Sequence, residues 1–125
     1  MAVVIVEWRI KKGMDEAFLD YWATEVPIAD RSGLIGEFLC KDGSDDEHLP
    51  WVRWNSRSTP EYTVYMNVGL WRDETDFAEQ IGRYVDIGRP NMPFEYDRRQ
   101  RILIDPVEWR RGPLDLPAHD TPGVL

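Results

Sequence analysis

One cysteine, Cys40, stands in the whole chain, so no disulfide can form within it. Histidine is almost as scarce, with only His48 and His119, and neither sits in a cluster with zinc-ligand spacing. The absence of a Cys-x-x-Cys pair argues against dithiol redox chemistry. There is no glycine-rich phosphate loop either, since Gly33-Leu34-Ile35-Gly36 reads as a turn entering a strand. No apolar run approaches the ~18 residues of a spanning helix, and Met1 to Val6 lacks the basic region that opens a secretory signal. A cytoplasmic protein with no membrane partner is therefore expected. Positive charge is also in deficit: 15 Lys and Arg face 23 Asp and Glu, leaving a formal charge of −8. Such a field repels phosphate backbones and leaves nucleic acid out as a partner.

What is present fits one α+β domain. A chain of 125 residues lies near the modal domain size and can bury enough surface to stand without staples. Residues 3–11 divide by parity into Val4, Val6, Trp8 and Ile10 on one side and Val3, Ile5, Glu7 and Arg9 on the other. A wholly apolar face backed by a mixed one is the pattern of a strand covered on one side. After Lys11-Lys12-Gly13 the period changes. Ala17, Phe18, Tyr21, Trp22 and Val26 repeat at helical spacing, with Asp15 and Glu16 in the first turn and Pro27 at the end. Arg31-Ser32-Gly33 is a turn, and a second strand runs from Leu34 to Cys40.

The following segment, 41–60, reads as an insertion. It opens with Lys41-Asp42-Gly43-Ser44-Asp45-Asp46-Glu47, too polar to pack, yet it also carries Trp51, Val52 and Trp54. A third strand follows from Glu61 to Trp71, with Val64, Met66, Val68 and Leu70 on one parity and Tyr65, Asn67, Gly69 and Trp71 on the other. A second helix is expected after Asp73 or Thr75 as cap, with Phe77, Ile81, Tyr84 and Val85 as its apolar stripe. Gly88, Pro90 and Pro93 end it. A fourth strand is expected at 99–105, resuming past Pro106 at 107–109, a proline that suits an edge and not a central ladder. The domain thus spans 1–111, and 112–125, with three prolines and two glycines, reads as an extended arm anchored by Leu114, Leu116, Val124 and Leu125.

Two helices cover one face of a four-stranded sheet and leave the other open. The first and third strands alone present too much apolar surface on both parities for a monomer, so a homodimer closed by a two-fold axis is expected.

The stretch Val4-Ile5-Val6-Glu7-Trp8-Arg9-Ile10-Lys11-Lys12-Gly13-Met14-Asp15-Glu16-Ala17-Phe18 resembles the opening strand, Lys-Gly turn and Phe-bearing helix of antibiotic-biosynthesis-monooxygenase-like domains. Ser32-Gly33-Leu34-Ile35-Gly36 is similar to their approach to the second strand. Tyr62-Thr63-Val64-Tyr65, continuing to Leu70-Trp71-Arg72-Asp73-Glu74-Thr75-Asp76-Phe77, is similar to their third strand ending in Trp before an acidic helix start. The resemblance covers about residues 3–85, and order and spacing carry it. It implies a ferredoxin-like βαββαβ fold with a four-stranded antiparallel sheet, a dimeric α+β barrel, and a pocket between sheet and helices. It does not imply one reaction, because members include cofactor-free oxygenases of aromatic polyketides, haem-degrading enzymes and proteins of no known activity.

In the cofactor-free oxygenases of that family an Asn and a Trp at this spacing line the substrate cavity, and Asn67 and Trp71 fall on those positions. Four residues apart on one strand, they face the same way about 13 Å apart. An amide suits charge developing on oxygen, and an indole suits stacking on a flat ring. Against this stands a purely structural role for both, in the core. Tyr65 shares their face, Trp8 and Tyr21 reach the same space, and Arg83 and Arg101 are candidate cations for an enolate. Glu7, the one acid in an apolar strand, is expected to pair with Arg9 or Arg101. Haem fits less well, because that branch needs a histidine near the second helix and none lies between residues 49 and 118. The leading expectation is a small oxygenase acting on an aromatic or polyketide-like compound with no cofactor. A non-oxidative cyclase, isomerase or dehydratase on the same scaffold, and a non-catalytic ligand-binding or structural dimer, remain as alternatives. Space between helices and sheet filled solid by Trp71, Tyr65 and Trp8 favours the last; an open apolar cleft with a few convergent donors favours an enzyme.

Overall fold

Ten residues of alternating polarity with six β-branched or aromatic side chains make β1 (Ala2–Lys11), which the computed structural model sets near the centre of a sheet. The structure describes residues 1–25, 28, 30–42, 57–81 and 90–114. Gly13, at φ +85°, takes the left-handed turn that a side chain would resist, and α1 (Asp15–Glu25) starts two residues later. Its acidic first turn, Asp15 and Glu16, complements the helix dipole. Then come β2 (Leu34–Lys41), β3 (Tyr62–Trp71), α2 (Glu74–Ile81) and β4 (Gln100–Ile104). Asp73 caps α2, its Oδ1 accepting from the Asp76 amide at 2.9 Å. Of the two caps read from sequence it is Asp73, and Thr75 lies inside the helix.

The sheet is four-stranded and antiparallel in the order β2-β3-β1-β4. Register places Val4 opposite Gly69, Val6 opposite Asn67 and Trp8 opposite Tyr65, so these residues share one face. That face is the core. Trp71, Phe18 and Ile10 are buried there completely, and Trp8, Phe18, Tyr65, Tyr21 and Phe94 form a chain of tilted and edge-on ring contacts 4.9–6.4 Å apart. Burying one such ring is worth roughly 2–3 kcal/mol, enough to hold α1 to the sheet. The opposite face carries two apolar rows across the strands. One is Phe38, Val68, Ile5 and Ile102; the other is Leu70, Val3 and Ile104. Ile102 and Ile104 remain about half exposed.

Two expectations need correction. The fourth strand does not resume past Pro106: residues 105–110 are irregular, since proline supplies no amide to continue the ladder. Glu7 pairs with neither Arg9 nor Arg101. Arg101 lies opposite Val6, on the other face of the sheet, and Arg9 reaches Asp97 at 3.2 Å. Glu7 instead accepts from Arg57 Nε at 2.8 Å and from Arg57 Nη2 at 2.9 Å. In β2 the pairing shifts register between Leu34 and Gly36, so Ile35 is an extra residue and side chains do not alternate strictly from Leu34. Trp51, Val52, Trp54, Tyr84, Val85, Val26, Pro27 and the arm from residue 115 onward lie outside the described residues, as do Arg83, His48 and His119.

Candidate functional site

Between the sheet and the two helices lies a partly enclosed, mainly apolar cleft with a cavity volume of about 40 Å³. Its floor is the helix-facing side of β1 and β3, at Val4, Val6, Asn67 and Gly69. Flat walls come from Trp8, Trp71, Tyr21, Trp22 and Phe77. Gly69 keeps the floor low beside the Trp71 indole: a Cβ there would stand 3.1 Å from Trp71 Nε1. The polar lining is sparse, consisting of Asn67, Glu37, Arg99 and Arg101.

These four and the Trp8 indole set the chemistry. Asn67 Nδ2 donates to Glu37 Oε1 at 2.8 Å, which fixes the amide and leaves Asn67 Oδ1 buried without a hydrogen-bond partner among the described residues. Trp8 Nε1 is buried in the same condition. Orphaned buried polar atoms are costly, and two lining one cleft form a place for a polar ligand atom. Burial raises the Glu37 carboxyl above its ordinary pKa, and the Asn67 hydrogen bond and the charge of Arg31 oppose that rise. Arg101, on the opposite edge strand, is pushed below its ordinary value by burial and then by the neighbouring Arg99. Arg99 itself lies 3.9 Å over the Trp8 ring and donates to the buried Glu95.

The structure therefore brings together Asn67, Trp71, Trp8, Tyr21 and Arg101 from the sequence-derived set. Tyr65 shares their face but does not line the cleft. Its hydroxyl donates to Asp15 Oδ2 at 2.5 Å, and burial followed by that carboxylate raises its pKa. Arg83 lies outside the described residues. Sequence reading did not single out Glu37 as a site residue. Two-residue alternation counted from Leu34 turns Glu37 away from the helices. The bulge at Ile35 reverses that, setting Glu37 opposite Gly69 on the cleft side. No group of three or more His, Cys, Asp or Glu side chains gathers at metal-binding spacing among the described residues. Among the described residues no helix is long and apolar enough to cross a membrane.

A comparison with protein-family models and one with the curated proteins each found no match to this chain.

Proposed function

We propose that this chain is a small cofactor-independent oxygenase of the antibiotic-biosynthesis-monooxygenase-like type. Its substrate is an aromatic or polyketide-like compound bound between sheet and helices, and its working form is a homodimer. The observation that carries the reading is the cleft itself. Asn67 and Trp71 line it together, and its walls are flat rings. An apolar slot with a few convergent polar groups is what an enzyme of flat, electron-rich substrates requires.

The strand order β2-β3-β1-β4 is compatible with a ferredoxin-like fold. The two apolar rows on the uncovered face support a second copy packing there as a dimeric barrel. In such a site an ionised phenol or enol passes one electron to O2. The resulting radical and superoxide combine at carbon, and loss of water leaves a carbonyl, so one CH2 and one O2 give one C=O and one H2O. The protein's part is to hold the anion, exclude bulk water and stabilise charge on oxygen. Trp71 stacks on the ring system, Trp8 Nε1–H donates to substrate oxygen, and Asn67, whose Nδ2 is taken up by Glu37, offers Oδ1 as acceptor to a substrate hydroxyl.

The test is oxygen uptake by purified protein with hydroxylated anthrones, in the presence of a chelator and without added flavin. One O2 consumed per substrate is expected, with kcat/KM reduced about a hundredfold in Asn67→Ala and substantially in Trp71→Phe. Full activity in both variants removes these residues from the mechanism. Product formation without oxygen uptake selects the cyclase, isomerase or dehydratase reading.

A further inference from the structure

Among the described residues the cleft holds one carboxylate, and the fold makes a specific local departure to put it there. β2 is an edge strand whose cleft-facing positions, Leu34 and Leu39, pack against the core. Between them stands Glu37, which the register shift between Leu34 and Gly36 brings into line with Gly69. Without that bulge Glu37 would project from the opposite face, where it would meet no desolvation by the helices. Bulges beside functional sites commonly re-aim one side chain, and here the side chain re-aimed is the only acid in the cleft lining among the described residues.

We infer that Glu37 is the proton acceptor of this cleft, and that the ligand it serves is a carbon or oxygen acid fused to a flat ring, such as an enolisable ketone or a phenol. The inference rests on reading the cleft as an enzyme's ligand site. The hydrogen bond from Asn67 engages Oε1 and orients the carboxylate, while the second oxygen is not taken up by it. Asn67 Oδ1 and Trp8 Nε1 add an acceptor and a donor, both buried and both without a partner among the described residues. The C–H or O–H bond of the ligand breaks, its electron pair stays on the ligand as enolate or phenolate, and the proton passes to Glu37. No oxidant enters that step. The charged and titratable groups around Glu37 are Arg31 before β2, Arg99 and Arg101 across the cleft, and Tyr21 from α1; α2 presents Phe77 and Ile81. Burial raises the carboxyl's basicity, which brings it closer to the range a general base needs.

The experiment is deuterium incorporation into 2-tetralone and 1,8-dihydroxyanthrone, followed by NMR in D2O under argon with catalytic amounts of protein. Both probes carry a CH2 acid on a fused ring, and argon separates proton abstraction from oxygen chemistry. Wild-type protein is expected to accelerate exchange, with a rate that rises with pH as Glu37 ionises. Glu37→Gln keeps a carbonyl to accept from Asn67 and is expected to fold normally by circular dichroism, lose about a hundredfold in rate and lose the pH dependence. Glu37→Asp, with its carboxylate drawn back by one methylene, is expected to retain part of the rate. Wild-type exchange at the buffer rate, or Glu37→Gln exchanging as fast as wild type, overturns the assignment. Oxygen uptake that persists in Glu37→Gln would do so while leaving the oxygenase reading intact. Exchange dependent on Glu37 with no oxygen uptake in air upholds it and removes the oxygenase.

Discussion

Breaking the Glu7–Arg57 pair from its two ends should cost unequal amounts. The Glu7 side chain is 10% exposed and the Arg57 side chain 53% exposed, and two hydrogen bonds of 2.8 and 2.9 Å join them. Arg57→Met leaves a carboxylate in the sheet beside Val64 and Arg9 with water reaching it only through the vacated space. Stranding one member of a fully buried pair costs about 3–5 kcal/mol; with Arg57 half in water the Coulomb contribution is screened, and about 2 kcal/mol is expected. Glu7→Gln strands nothing, because the guanidinium turns into solvent and the amide remains able to accept from it. Its cost should stay under about 1 kcal/mol. The double variant Glu7→Leu/Arg57→Met removes both charges and should lie closer to wild type than Arg57→Met alone. Urea denaturation followed by far-ultraviolet circular dichroism at pH 7 and one fixed protein concentration measures all three, and the 2 kcal/mol loss corresponds to a midpoint lowered by about 1 M. Equal losses in Arg57→Met and Glu7→Gln, or a larger loss in the second, would refute the argument that burial of the carboxylate sets the asymmetry.

Two further outcomes follow from the cleft. Glu37 has its folded-state pKa raised by burial, so its protonated form is the one folding favours; its contribution is present below the unfolded-state value and is lost as pH rises through the folded-state value. Glu37→Gln should therefore match wild type in urea midpoint near pH 4 and exceed it by about 1 kcal/mol at pH 8, the usual scale for removing a functional-site penalty. Gly69→Ala places a methyl 3.1 Å from Trp71 Nε1 on the cleft floor; its stability should change by no more than about 1 kcal/mol, while affinity for 2-tetralone, read by tryptophan fluorescence, falls at least tenfold.

Local periodicity carried the sequence reading far. The apolar parity of Val4, Val6, Trp8 and Ile10 identified the covered face of β1, and the opposite parity of Tyr65, Asn67, Gly69 and Trp71 identified the matching face of β3. The helical spacing of Phe18, Tyr21 and Trp22 likewise found the side of α1 that packs. These succeed because a strand or a helix turns each residue by a fixed angle, so neighbours in sequence predict which way a side chain points. The Glu7 partner was not legible. Arg57 lies fifty residues away in a segment with no periodicity, so only tertiary packing sets it against Glu7.

The amino-acid sequence by itself determined the α+β class and the order of the elements, and it offered Asn67, Trp71, Trp8, Tyr21 and Arg101 as candidates that line one cleft. Tertiary structure alone decided the rest. It set the strand order, gave Arg101 and Glu7 opposite faces of the sheet, and turned the Tyr65 hydroxyl to Asp15. Above all it placed Glu37 against Asn67 inside the cleft. A bulge adds one residue to one strand, and whether it forms depends on which partner residues the neighbouring strand offers. That pairing is long-range information, and it decided which side of the sheet carries the acid.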